Sequence, residues 1–194
     1  MASSFDIKGS MVALITPFHE DGSINFDKLE ELLEFHIANK TDCVLILGTT
    51  SESPTFTWEE DFEIVKRSVE VCKGRMPLMA NAGSNDTRTS FEKAKRFADA
   101  GVDALLCISP YYNKANKTGL YHHIADVADS VDVPVVLLEH IHNVYTEILK
   151  EEAAGNVMIR RYADIDPDEQ KEVANRFRDD LNDPLFAEYR DFIY

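Results

Sequence analysis

Long hydrophobic runs, paired cysteines and basic charge are all scarce in this sequence. No segment approaches the ~18 consecutive apolar residues of a membrane-spanning helix, and the first residues, MASSFDIKGS, contain no apolar stretch of signal-peptide length. The three cysteines, Cys43, Cys72 and Cys107, lie far apart, with no CxxC pair and no histidine at the spacing of a zinc site. We therefore expect a cytoplasmic protein in a reducing compartment, with no structural metal and no cofactor.

Acidic residues dominate the charge. The sequence has 20 lysines and arginines against 35 aspartates and glutamates, a net charge of −15. Such a balance repels phosphate backbones and anionic lipid surfaces, so we expect neither nucleic acid nor membrane as a partner. Hydrophobic residues still make up 44% of the chain, which is enough to bury a sizeable core.

Short apolar runs alternate with longer amphipathic stretches. Five runs have the near-continuous apolarity of strands that are buried on both faces of a parallel sheet: residues 11–15, 43–47, 77–82, 104–109 and 133–138. Helical periodicity predicts helices over residues 26–40, 86–100 and 119–131, and a further helix that begins at the capping box Thr57-Trp58-Glu59-Glu60. Gly101 follows the stretch 86–100, as expected of a residue that ends a helix in the left-handed conformation.

This alternation, at about 30 residues per unit, predicts right-handed βαβ crossovers and a parallel sheet. A complete eight-unit barrel needs about 250 residues, so this chain has room for about six units. We therefore expect an α/β fold, a partial (βα)8 barrel of about five to six units, with its front part in residues 1–138. The pattern of residues 139–194 predicts a different, mainly helical segment with a short strand over 157–162. We expect this segment to pack on the barrel part or to complete it.

Four phrases in register carry a family resemblance. Gly9-Ser10 with Ala13-Leu14-Ile15-Thr16-Pro17-Phe18 surrounds the first strand, and Gly48-Thr49-Thr50-Ser51-Glu52-Ser53 follows the second. Ala82-Gly83-Ser84-Asn85-Asp86-Thr87 follows the third strand, and Ser109-Pro110-Tyr111-Tyr112-Asn113-Lys114 the fourth. In order and spacing, residues 7–138 resemble the dihydrodipicolinate synthase (4-hydroxy-tetrahydrodipicolinate synthase) family of the N-acetylneuraminate lyase superfamily.

The resemblance implies a lyase chemistry. Members of this family condense pyruvate with an aldehyde, which is aspartate semialdehyde in the synthases of lysine and diaminopimelate biosynthesis, through a Schiff base on a sixth-strand lysine. Carried over by position, Thr49 is the threonine of a proton relay, and Thr49 and Thr50 bind the pyruvate carboxylate. Tyr112 is the catalytic tyrosine that crosses a dimer interface, and Tyr111 packs at that interface. Hydroxyl and N–H groups on a glycine-containing turn can hold a carboxylate without a cation, although the same threonines could merely shape the turn.

Several positions depart from the family pattern. Ser51 stands where the family has a second glycine, and its side chain could crowd the ligand or strain a positive φ. Leu138-Glu139 replaces a Tyr-Asn pair, and no loop arginine follows. Past residue 138 the lysines are Lys150 and Lys171, both in polar stretches, and Arg160 or Arg161 falls where the Schiff-base lysine would stand. The sequence therefore predicts an inactive or impaired enzyme.

Three interpretations of function stay open. The chain is a pyruvate-dependent lyase, a non-catalytic truncated or chimeric half-barrel, or a module that binds pyruvate without a covalent step. His140 and His142 beside Glu139 lack a convincing further ligand, so we predict no metal. We expect a homodimer rather than a monomer closed by its own tail, because an unclosed barrel would expose an apolar inner face, residues such as Leu14, Val44, Ile46, Leu105 and Cys107 or their alternates.

Overall fold

The described residues form one parallel sheet in sequence order. The structure, a computed structural model, describes residue 5, residues 8–113, residues 115–138 and the backbone of residues 157 and 158. The strands are β1 (Met11–Ala13), β2 (Cys43–Ile46), β3 (Leu78–Asn81), β4 (Ala104–Ile108), β5 (Val135–Leu138) and β6 (Val157–Met158). Each pairs in parallel with the next, from Met11 beside Cys43 to Val136 beside Met158. This order confirms the predicted half-barrel.

Helices connect the first five strands. They are α1 (Phe26–Ala38), α2 (Trp58–Cys72), α3 (Thr87–Ala100) and α4 (Lys117–Ala128), and two 3-10 turns, Thr49–Ser51 and Ser53–Thr55, precede α2. The capping box at Thr57 and Glu60 forms as predicted, with a reciprocal pair of side-chain hydrogen bonds. Gly101 ends α3 at a φ of 103°, a conformation that glycine adopts without steric cost.

Three predicted helix bounds are wrong by a few residues: the end of α1 and both bounds of α4. Helix α1 ends at Ala38, not at residue 40, because Lys40 takes a φ of 59° and cannot continue the helix. Helix α4 ends at Ala128, not at residue 131. There the N–H and the hydroxyl of Ser130 both bond to the Val127 carbonyl, at 3.2 and 2.7 Å, and close the last turn. At its start, the side chain of Asn116 accepts from Gly119 N–H at 2.8 Å, so the helix begins before the predicted residue 119.

The two faces of the sheet differ in exposure. Strand register places one set of side chains on a face that is almost wholly buried, and helix α2 packs on β3 and α3 on β4. The side chains of this set are each at most 7% exposed: Val44, Ile46, Leu78, Ala80, Leu105, Cys107, Val135 and Leu137. The alternate set, which we call the open face, includes partly buried or exposed side chains: Met11, Ala13, Leu45, Ile108, Val136 and Leu138. Of the inner-face alternatives, the structure therefore buries Leu14, Val44, Ile46, Leu105 and Cys107, and whatever exposure there is falls on the alternate set. Part of that set, Cys43, Met79, Ala104 and Leu106, is buried with Phe5.

Burial on both faces, predicted for all five runs, holds for only part of the sheet. All four residues of β3 are buried, whereas Ala13 of β1 and Leu138 of β5 are exposed. The predicted helical segment 139–194 lies outside the described residues, apart from β6, which coincides with the start of the predicted strand 157–162. The predicted boundary at residue 138 stays a prediction. Among the described residues, no helix has the length and apolarity to cross a membrane.

Candidate active site

The turn after β2 presents two exposed threonines at the carboxyl edge of the sheet. Thr49 and Thr50 begin the 3-10 turn Thr49–Ser51, and both are exposed, whereas Gly48 before them is buried. Leu47, between β2 and this turn, is fully buried and has a φ of 58°. A left-handed backbone costs an ordinary side chain such as leucine ~1–2 kcal/mol. The surroundings of Leu47 must therefore stabilise this conformation.

Ser51 fastens the turn to β1. Its hydroxyl is buried and donates to the carbonyl of Leu14, just past β1, at 2.5 Å. Ser51 does not have a positive φ, so the predicted backbone strain at this position is wrong. The positive φ, 61°, falls on the next residue, Glu52, whose N–H closes the turn on Thr49 carbonyl at 3.1 Å. Because the Ser51 side chain is directed to β1, it does not share the exposure of the two threonines.

Asn81 fastens the same segment to β3. Its side-chain N–H donates to the carbonyl of Leu47 at 3.0 Å, and its side-chain oxygen accepts from the N–H of Gly83 at 3.1 Å. Gly83 has no room for a side chain, since a Cβ there would overlap the backbone nitrogen of Ile108. Sequence reasoning missed Asn81, although one signal was present: it is the only polar residue at the end of a run of buried apolar residues, Leu78–Asn81.

The tyrosine pair lies on the loop after β4. Tyr112 is 99% exposed with a φ of 68°, and Tyr111 is 47% exposed. The next residue holds this loop, because the Asn113 side chain donates to the carbonyl of Asn85 at 2.8 Å and its N–H to the carbonyl of Tyr111 at 2.8 Å. Strand β3 separates this loop from the Thr49–Ser51 turn, which corresponds to about 10 Å across two strand spacings. Almost all of the Tyr112 side chain is in solvent, so the described residues do not bring it to Thr49.

No reactive nucleophile occurs on the described strands. None of β1 to β6 contains a lysine. Burial raises the pKa of each of the three thiols, Cys43, Cys72 and Cys107, to about 12, so they stay protonated at neutral pH. Within the part of the chain that the structure describes, no group of three histidines, cysteines or carboxylates is placed to hold a metal. The other predicted features, Lys150, Lys171, Arg160, Arg161 and the 139–142 carboxylate–histidine run, lie outside the described residues.

The turn Thr49–Ser51 is fixed and uncharged, so it supplies hydroxyl groups and no positive charge. Two threonine hydroxyls stand at the carboxyl ends of parallel strands, which is the edge where (βα) barrels place their active sites. Leu138, at the same edge on β5, is 45% exposed and supplies no hydroxyl where the family pattern has a tyrosine. At this edge the described residues therefore present hydroxyl groups, and the described strands include no lysine amine.

Comparisons with known proteins agree with this arrangement. The model of the dihydrodipicolinate synthetase family matches residues 6–144. The 4-hydroxy-tetrahydrodipicolinate synthase of Methylibium petroleiphilum is 48% identical over 131 residues, which cover 68% of this chain and 45% of the relative. The crystal structure of dihydrodipicolinate synthase from Aquifex aeolicus superposes with a TM-score of 0.73 at 34% identity, covering 88% of this chain and 60% of that one.

A third relative is informative about ligands. The chloride-inhibited dihydrodipicolinate synthase from Acinetobacter baumannii, crystallised in complex with pyruvate, superposes with a TM-score of 0.73 at 30% identity, covering 88% of this chain and 62% of that one. This chain thus spans about 45% of the length of the curated synthases that it matches. The family-model match covers strands β1 to β5, the threonine turn and the tyrosine loop together. On the combined evidence of sequence and fold, the chain belongs to the dihydrodipicolinate synthetase family.

Proposed function

We propose that this chain binds pyruvate through the Thr49–Ser51 turn and does not form a Schiff base with it. Thr49 and Thr50 contact the carboxylate, and Tyr112 serves the same site from a second subunit. The observation that carries the proposal is the exposed threonine pair on a segment that is fastened on both sides. The Ser51 hydroxyl donates to the Leu14 carbonyl, just past β1, at 2.5 Å, and the Asn81 side chain on β3 donates to the Leu47 carbonyl at 3.0 Å. A related synthase crystallised with pyruvate supports the choice of ligand.

The covalent step fails for want of an amine. An imine requires an unprotonated lysine, and a lysine is unprotonated near neutral pH only where desolvation lowers its pKa. Lys150 and Lys171 are the lysines past residue 138, and the sequence around each is polar. The guanidinium of Arg160 or Arg161 cannot replace the amine, because it stays protonated. The condensation with aspartate semialdehyde that the family performs is therefore impaired or absent in this chain.

A titration with pyruvate tests the binding proposal. In ¹H–¹⁵N spectra, millimolar pyruvate is expected to shift the amide resonances of residues 48–51 most. Thr49→Val keeps the shape of the side chain and removes its hydroxyl, so it should weaken this response. The matched control is Thr118→Val, at an exposed threonine on α4, which should bind as the unmodified chain does. A chain whose spectrum does not respond to pyruvate, or responds only elsewhere, contradicts the proposal.

We further propose that the chain is a homodimer. The open face carries apolar side chains with partial exposure, such as Ile108, Val136 and Leu138, and water-exposed apolar patches favour association. Tyr112, on the loop after β4, supports a contact between subunits at the carboxyl edge of the sheet, because a tyrosine that is 99% exposed is well placed to contact a second copy. Light scattering over a dilution series should give twice the 22.0 kDa mass of one chain. A single species of monomer mass at all concentrations would exclude the dimer.

A further inference from the structure

We propose that Asn81 is a positioning residue for the carboxylate-binding turn: its side-chain amide holds Leu47 in the left-handed conformation and thereby places Thr49 and Thr50. The inference rests on the proposed function, because it assigns a role to Asn81 in a site that we propose binds pyruvate. Asn81 lies on β3, is 7% exposed, and belongs to none of the phrases that carry the family resemblance.

The need for such a residue comes from Leu47. The direction in which the chain leaves β2 is set at Leu47, the last residue before Gly48-Thr49-Thr50, by a φ of 58°. Leucine avoids this region because its Cβ approaches its own backbone carbonyl. Without an external contact, the turn would become more stable by relaxing to an ordinary backbone conformation, and the two threonines would move with it.

The orientation of the Asn81 amide is fixed by its two partners. The N–H of Gly83 can only donate, so the atom that faces it must be the side-chain oxygen. The carbonyl of Leu47 can only accept, so the atom that faces it must be the side-chain nitrogen. Both requirements agree on one orientation. The amide therefore bridges the loop after β3, at Gly83, and Leu47, the residue that follows β2.

This bridge complements the Ser51 contact on the other side. Ser51 ties the end of the turn to Leu14, past β1, and Asn81 ties its beginning to β3. The turn is thus held at both ends by buried side chains, while the threonines between these ends stay exposed. A site that holds an anion with neutral hydroxyls depends on such fixed geometry, since no cation draws the ligand into place.

The test compares Asn81→Leu with Thr41→Val. Asn81→Leu keeps a similar volume and removes both side-chain hydrogen bonds, and Asn81→Ala serves if the leucine does not fit. Thr41→Val also removes a buried hydroxyl, which contacts His36 Nδ1 at 2.9 Å, but it acts at the opposite end of β2. The two readouts are the pyruvate dissociation constant from the amide titration and the resonances of residues 47–51 in the free chain. We expect Asn81→Leu to raise the dissociation constant about tenfold and to shift those resonances, and Thr41→Val to do neither.

Every outcome decides the proposal. Asn81 variants that bind pyruvate as tightly as the unmodified chain overturn it, and so does a loss of affinity that Thr41→Val reproduces. If the unmodified chain does not bind pyruvate at all, the proposed function fails, and the free-chain resonances then decide the role of Asn81. A shift confined to residues 47–51 in the Asn81 variants supports a positioning role for another ligand, and unchanged resonances there overturn it.

Discussion

Buried His36 should make the protein lose stability between pH 7 and pH 5. Its side chain is 2% exposed, lies on the last turn of α1, and contacts Thr41 Oγ1 through Nδ1 at 2.9 Å. Removal from water lowers the pKa of His36 from 6.5 to about 4, because the buried imidazolium has lost its hydration. The folded protein therefore keeps His36 neutral at a pH at which the unfolded chain protonates it.

The sign and size follow from linkage. The folded pKa lies below the unfolded one, so the contribution to stability is present above the unfolded value and decreases as pH falls from about 6.5 to about 4. One additional proton on the unfolded chain changes the free energy of unfolding by at most ~1.4 kcal/mol per pH unit. With these two pKa values, His36 alone should lower the free energy of unfolding by about 2 kcal/mol between pH 7 and pH 5. His123, whose pKa burial also lowers, adds to the effect in the same direction.

Urea denaturation at pH 7, 6 and 5 measures the effect. His36→Gln removes the titrating group, so about 2 kcal/mol of the pH dependence should disappear, whatever the variant does to the stability at pH 7. His122→Gln is the matched control, because it makes the same substitution at an exposed histidine on α4. An unchanged pH dependence in His36→Gln, or an NMR titration that gives His36 an ordinary pKa in the folded protein, would refute the argument.

Two further predictions concern buried groups. Lys93 Nζ lies 2.5 Å from Asp61 Oδ2, and the two side chains are 14% and 2% exposed. Lys93→Met should therefore lower the free energy of unfolding by about 3 kcal/mol, because it leaves a buried carboxylate without its cation. The Lys93→Met/Asp61→Asn double variant should recover most of that loss in urea denaturation, and a double variant as unstable as the single one would contradict the pairing. The thiols of Cys43, Cys72 and Cys107 are buried, and their pKa values are raised to about 12. Iodoacetamide should therefore modify all three in denaturant and none in the native protein at pH 7.5. An alkylated thiol found by mass spectrometry in the native protein would contradict this prediction and show that its site opens.

The fold followed from sequence because its signals are local and repeated. Apolar runs of strand length alternated with helical periodicity, and two helix boundaries carried their own markers: the capping box at Thr57 begins α2, and Gly101 ends α3. Strand order then followed from the resemblance to a (βα)8 barrel, in which each strand pairs with the next one along the chain. The errors fell at helix ends, where a single side chain, such as that of Ser130, decides the last hydrogen bond.

The site was only partly predictable. Thr49, Thr50 and Tyr112 were identified because they stand in phrases that resemble a family, and the exposure of each is now known. The roles of Asn81 and Ser51 depend on hydrogen bonds across 34 and 37 positions of sequence, and no local pattern reports such pairs. For Ser51 the sequence argument failed for a physical reason: the positive φ belongs to Glu52, one residue later.

Borohydride reduction in the presence of pyruvate tests the central claim most directly. The unmodified chain is incubated with pyruvate and sodium borohydride, and its intact mass is measured alongside a control without pyruvate. Reduction of an imine, which forms with loss of water, would leave a 1-carboxyethyl group on the nitrogen of one lysine and raise the mass accordingly. The account predicts an unchanged mass at pyruvate concentrations that shift the amide resonances of residues 48–51. A stoichiometric adduct that maps to a single lysine would contradict it and would show that the chain performs the covalent step.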